Sequence, residues 1–177
     1  QHPGTLIGES SEPGSTVIKA VTSVRGVSLL TVSGRGMIGV PGIAGRAFLT
    51  TARAGANVLM ISQASSEQSF CFVVTNDKAY EVKQAIEDEF AKELTYRNIE
   101  HVEVMADVAI VTAVGSGMRG TPGVAGRVFS VMGDNRINVV AIAQGSSECS
   151  ISFVVAEADL ARAVVALHDL ALEAVPQ

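Results

Sequence analysis

One stretch of this sequence occurs twice. Gly36-Met37-Ile38-Gly39-Val40-Pro41-Gly42-Ile43-Ala44-Gly45-Arg46 returns as Gly117-Met118-Arg119-Gly120-Thr121-Pro122-Gly123-Val124-Ala125-Gly126-Arg127, an offset of 81 residues. The offset continues without a gap through Phe48/Phe129, Asn57/Asn138, Ile61/Ile142, Gln63/Gln144, Ser65-Ser66-Glu67/Ser146-Ser147-Glu148 and Phe72-Val73-Val74/Phe153-Val154-Val155. Coincidence does not produce a match of that length. Two copies are too few for a solenoid. The chain therefore resolves into two similar modules packed on each other, although 177 residues by themselves point to about one domain.

Each copy has the same order of elements. Residues 27–32 and 108–114 are β-branched apolar runs ending in glycines, the pattern of a first strand. Pro41 and Pro122 stand where a helix can start. Ile43, Ala44, Ala47, Phe48 and Thr51 then recur on one helical face, with Gly55 as the stop. Residues 58–62 and 139–143 form a second strand, the Ser-Ser-Glu stretch a hairpin turn expected also to flank a ligand, and residues 69–74 and 150–155 a third strand. Val82, Ile86 and Phe90, and Leu160, Val164 and Leu167, mark a second helix. Residues 99–104 complete βαββαβ, the ferredoxin-like plan, in the first copy. The second copy has no strand after its last helix, while residues 17–21 form an unassigned apolar strand ahead of the first. The expected fold is α+β: two ferredoxin-like modules side by side, the first (residues 25–106) inserted in the second (residues 17–24 with 107–177). Residues 1–16, dense in Pro, Gly, Ser and Glu, are expected to be a linker.

Composition narrows the function. Hydrophobic residues make up 47% and charged residues 18%, enough for a core and too little charge for a disordered chain. The net charge of −5, without a block of Lys or Arg, removes the basis for nucleic-acid binding. The apolar runs are strand-sized, far short of the roughly 20 residues of a membrane span. Cys71 and Cys149 lack CxxC spacing, so neither a disulfide framework nor a zinc site is expected, and a reducing cytoplasm fits best. Gln1 stands where an initiating Met would, with no basic-then-apolar leader after it, so the expectation is a piece of a longer chain without a signal peptide.

The glycine loops are the candidate chemistry. Residues 34–39 and 115–120 both match GxGxxG between a strand and a helix. A dinucleotide fold also needs an acidic residue about 20 positions on and a parallel strand; here Asn57 and Gln63 stand in that region and the chain turns into a hairpin. Two readings stay open. The loops offer unpaired N–H groups at a helix start to a small anion such as a carboxylate, or the glycines only make a tight turn against the sheet. Gln63 and Gln144 end apolar strands and supply a donor and an acceptor without charge. His2, His101 and His168 lie apart, without metal or dyad spacing. Arg46 and Arg127 are suited to pairing with acids.

The glycine loops, the Asn-Val that follows, and Ile-Ser-Gln-Ala-Ser-Ser-Glu and Ile-Ala-Gln-Gly-Ser-Ser-Glu together resemble the tandem ACT domains that regulate aspartokinase. The resemblance covers about residues 17–173, and Pro3-Gly4-Thr5-Leu6-Ile7 resembles the end of that enzyme's catalytic domain. The Gln-x-Ser-Ser-Glu stretches are most similar to threonine-sensitive aspartokinases, including those fused to homoserine dehydrogenase. It implies an amino-acid effector at the interface of paired modules. The loop residues Gly36, Met37, Pro41, Gly42, Ile43 and Ala44, with Gly117, Met118, Pro122, Gly123, Val124 and Ala125, would hold its α-carboxylate by N–H groups. Asn57 and Asn138 would lie near its amino group, Gln63 and Gln144 would contact it, and Ile61 and Ile142 would line the pocket. The implied function is feedback inhibition by threonine, through tighter binding to one arrangement of the modules. A lysine-binding module and a dimerisation module without a ligand are the alternatives. The implied partners are the catalytic domain and a second copy, forming a homodimer. With no Lys-Phe-Gly-Gly kinase opening and no ATP site, the chain is expected to be catalytically silent, and no cofactor or metal is expected.

Overall fold

The computed structural model describes residues 16–172, so all but the last residue of the expected linker lies outside the described residues. Strand β1 (Ala20–Ser33) runs through a short 3-10 turn (Arg35–Met37) to helix α1 (Ile43–Arg53). Strands β2 (Met60–Gln63) and β3 (Ser69–Thr75) form a hairpin, followed by α2 (Asn76–Glu89) and α3 (Ala91–Thr95). The second round consists of β4 (His101–Val114), α4 (Val124–Asp134), β5 (Ala141–Gln144), β6 (Ser150–Ala156) and α5 (Leu160–Leu172). Its strands and α4 begin and end 81 residues after their counterparts, so the repeat extends into β1 and β4, where few side chains match.

The strands form a single antiparallel sheet in the order β2-β3-β1-β4-β6-β5. Its two central strands are longer than expected. Hydrophobicity divides residues 17–32 into two strands and residues 99–114 into two more, whereas the structure has one of 14 residues in each place. The early half of β1 (residues 20–24) pairs with the late half of β4, and the late half of β1 pairs with the early half of β4. β3 adds only to the late half of β1, and β6 only to the late half of β4.

Gly26 (φ 67) and Asp107 (φ 54), at matching positions, explain why each strand survives its midpoint. Both are left-handed, and the register shifts between Val24 and Leu29 mark a β-bulge rather than a break. An added residue switches the alternation of side chains. In β4 the even-numbered Val102 and Val104 pack with α1 and α2, whereas beyond the bulge Ala109, Val111 and Ala113 pack with α4 and α5. Each half of the strand thus gives its own helices an apolar row.

Three cores result. One lies beneath α1 and α2, where Phe48 meets Phe70 and Phe72 edge-on at 5.7 and 5.6 Å between ring centroids. A second lies beneath α4 and α5, with Phe129 edge-on to Phe153 at 5.7 Å. Such pairs contribute about 0.5–1.5 kcal/mol beyond the area they bury. The third core covers the opposite face and draws on both rounds: Val27, Leu29, Met60 and Val73 with Val108, Ile110, Ala141 and Val154. The edge strands β2 and β5 touch each other although they stand last at either end of the strand order, so the sheet curls around this shared core.

Helix α1 starts two residues after Pro41, because Gly42 (φ 88) is left-handed and ends the helical backbone there; Gly123 (φ 83) does the same before α4. β2 and β5 begin at Met60 and Ala141, later than their apolar runs, and the short α3 follows Phe90, which caps α2.

Candidate functional site

The glycine loop after β1 is built in two parts. In the first, Gly34 donates its N–H to the Gln68 carbonyl at 2.9 Å. A Cβ on Gly34 would lie 2.3 Å from the Asn98 carbonyl oxygen, and one on Gly36 would lie 2.5 Å from the Asn98 Cα. At Gly115 a Cβ would stand 2.1 Å from the Val17 carbonyl oxygen. The opening glycines of both loops are therefore sites of backbone contact, against Asn98 and Val17 in the segments that lead into β4 and β1.

The second part, residues 37–44, faces an open cavity of about 290 Å³. Met37, Gly39, Val40, Pro41, Gly42, Ile43 and Ala44 form one wall, and Gln63, Glu67 and Phe70 the other. That volume is at the lower end for ligand pockets and suits a small molecule. The first turn of α1, at Gly42, Ile43 and Ala44, has no side-chain cap. Its unpaired N–H groups and the positive end of the helix dipole act on the cavity. Gln63, the last residue of β2, stands opposite Phe70 in register, which brings its amide to the same wall.

Of the residues singled out from the first copy, Met37, Pro41, Gly42, Ile43, Ala44 and Gln63 thus meet around one cavity. Gly36 packs against Asn98 instead. Asn57 is exposed between α1 and β2. Ile61 lies on β2 opposite Phe72, 46% exposed and outside the lining. In the second copy the same elements carry Met118, which is buried, Pro122, Gly123, Val124 and Ala125 at the start of α4, and Gln144 at the end of β5. Gly117 stands within van der Waals distance of Val17, and Asn138 and Ile142 are exposed.

The Ser-Ser-Glu turn, expected to flank the ligand, brings to the cavity an acid that is not among the expected contacts. The Glu67 Oε2 accepts the Gly39 N–H at 2.9 Å, and the Glu148 Oε2 accepts the Gly120 N–H at 2.7 Å. Both glutamates have φ 56. The signal available was their recurrence 28 residues beyond the loop glycine in each copy.

Arg46 lies behind the site. It donates to Glu89 at 2.8 Å and to Glu93, and its guanidinium sits 4.5 Å from the centre of the Phe90 ring. It fastens α1 to α2 and α3. Its hydrogen bonds to Glu93 and Glu89 raise its own pKa, and the one to Glu93 lowers that of Glu93. His101 and His168 are exposed on β4 and α5, and His2 lies outside the described residues. Among the described residues no group of His, Cys, Asp or Glu is placed to hold a metal, and Cys71 and Cys149 are free thiols. Burial pushes the Cys71 thiol up. No helix among the described residues is long and apolar enough to cross a membrane.

A doubled β-α-β-β-α unit, with a small open cavity between glycine loop and hairpin in its first round, defines the class. Residues 30–90 and 111–170 each match the model of the ACT domain, and the chain belongs to the ACT domain family. It is 41% identical over 166 residues to a bifunctional aspartokinase/homoserine dehydrogenase of Haemophilus influenzae, covering 94% of this chain and 20% of that protein. It is also 41% identical over 170 residues to the chloroplastic bifunctional aspartokinase/homoserine dehydrogenase 2 of Zea mays, covering 94% of this chain and 18% of that protein. The chain thus spans about a fifth of the length of these curated relatives. The regulatory subunit of aspartate kinase from Thermus thermophilus has the same fold, with a TM-score of 0.71 at 26% identity, over 89% of this chain and 99% of that one.

Proposed function

We propose that this chain is the regulatory region of an aspartokinase, of the kind fused to homoserine dehydrogenase, and that it binds L-threonine for feedback inhibition. The observation that carries the reading is the cavity, which joins the uncapped first turn of α1 to the amide of Gln63. The helix turn takes the α-carboxylate, with Met37, Pro41, Gly42, Ile43 and Ala44 around it. Gln63 presents a donor and an acceptor to a side-chain hydroxyl, and a hydroxyl can use both. Gln144, with Met118 and residues 122–125, provides the second site. Threonine affects the catalytic domain to the extent that it binds one arrangement of the modules more tightly than the other.

The cavity is open, and the apolar Ile38, Val40, Leu49 and Ile61, carried by its loop, α1 and β2, are exposed. A second module from another copy would cover them, which supports a homodimer with effector at the interface, within reach of Asn57 and Asn138. We assign residues 25–106 to the first module and residues 17–24 with 107–177 to the second, and place the protein in the cytoplasm.

Isothermal calorimetry of the 177-residue chain against threonine, lysine, methionine and isoleucine tests this reading. Threonine binding is expected, weakened about three- to ten-fold by Gln63→Ala or Gln144→Ala, the loss of one hydrogen bond to a polar ligand. Absence of heat with all four amino acids overturns it.

A further inference from the structure

The cavity has two poles. Among the described residues Glu67 is the sole charged one in its lining, and no Lys, Arg or His shares the wall with it. Its carboxylate is fixed there by the Gly39 N–H, as that of Glu148 is by Gly120 in the second copy. The opposite wall is the uncapped start of α1, a positive pole made of backbone. Both poles recur with the repeat.

Resting on the effector-binding reading above, we propose that Glu67 and Glu148 are the residues that set the charge class of the ligand. Each receives the ammonium of an amino acid whose carboxylate lies at the helix start, and each rejects a ligand that carries a second carboxylate. Two features of the geometry support this. The Gly39 N–H is occupied by Glu67, so an incoming carboxylate must use the donors of the α1 turn, which orients the ligand along the cavity. With one negative pole and one positive pole, the site matches a zwitterion with an uncharged side chain. An acidic amino acid would bring its extra carboxylate against Glu67 without a cation to offset it.

Glu67 is exposed, so solvent screens the effect and each interaction is modest. Loss of the ammonium partner weakens both amino acids about three-fold, since both carry one, and relieved repulsion returns about three-fold to aspartate alone, so the preference changes by about three-fold. The test measures the affinity of the 177-residue chain for L-threonine and for L-aspartate, with the wild type and the double variant Glu67→Gln/Glu148→Gln. The amide of Gln can still accept the Gly39 and Gly120 N–H groups, so the loops keep their shape while the charge goes. The wild type is expected to prefer threonine. The Gln variant is expected to lower that preference about three-fold while weakening threonine about three-fold, Glu67→Lys/Glu148→Lys to lower it further, and the wild-type preference is expected to shrink as salt is raised. A preference unchanged in both variants, with the two affinities moving together, reduces the glutamates to loop supports and overturns the inference while leaving threonine binding intact. Failure of the wild type to bind either amino acid overturns the effector reading and this inference with it.

Discussion

Replacing Gly26 tests the bulge that lets a single strand serve both rounds of the fold. An ideal Cβ at this position meets nothing within 4 Å, so a side chain there is not opposed by contact. It is opposed only by the backbone, whose φ of 67 is left-handed. An L-residue in that conformation costs about 1–2 kcal/mol, and a β-branched one belongs at the upper end because its two γ substituents crowd the backbone. For a chain of this length each kcal/mol shifts the melting temperature by about 2–4 °C. Gly26→Val is therefore expected to lower Tm by about 4–8 °C, and Gly26→Asp by about half as much, since aspartate already occupies the same conformation at Asp107. Calorimetric melts and urea titrations of the wild type and both variants provide the measurement. The sign decides the matter. If residue 26 were an ordinary strand position, valine would stabilise it, because glycine weakens a strand and valine fits the pleat. A Val variant as stable as the wild type, or more so, refutes the bulge.

Two glycines of the loop region should respond in opposite directions. Gly34→Ala places a methyl 2.3 Å from the Asn98 carbonyl oxygen, a backbone atom with no rotamer to escape into, and should cost about 3 kcal/mol in urea denaturation. Gly45→Ala, inside α1 with open space around the new methyl, should instead add about 0.5–1 kcal/mol. The Arg46 to Glu93 pair sets a pH signature. Its hydrogen bond to Arg46 lowers the pKa of Glu93 below the unfolded value near 4.5. The pair's stabilisation is therefore complete above that value and lost as pH falls through the lower folded one. Glu93→Gln should cost up to about 1 kcal/mol at neutral pH and nothing in strong acid, and an equal cost at pH 7 and pH 2 would refute the linkage.

The repeat made the number of modules and the order of their elements legible, because hydrophobic positions such as Phe48, Phe72 and Val74 recur with the site residues. The continuity of β1 and β4 was hidden. Gly26 resembles a strand breaker and Asp107 a turn residue, and only the pairing of the two strands shows that both absorb a bulge. The start of α1 was displaced for a similar reason: Pro41 is permitted in a first helical turn, but the left-handed Gly42 overrides it. Gln63 and the residues from Pro41 to Ala44 could be linked from their recurrence at fixed spacing. Glu67 recurs at fixed spacing as well, but its partner is a backbone N–H, and nothing in the identity of Gly39 announces that its donor is taken.

The two long central strands carry a consequence for how such a protein can be divided. Each pairs with the other along both of its halves, so a cut anywhere from the end of β1 to the start of β4 separates two paired strands. A truncated half would bare the backbone donors and acceptors of residues 20–24 or 101–108, an invitation to pair with a stranger. The two halves are thus expected to fold only together. A gene fusion that moves this region can place its junctions only outside residues 20–172, and never at the midpoint where the repeat in the sequence would first suggest making one.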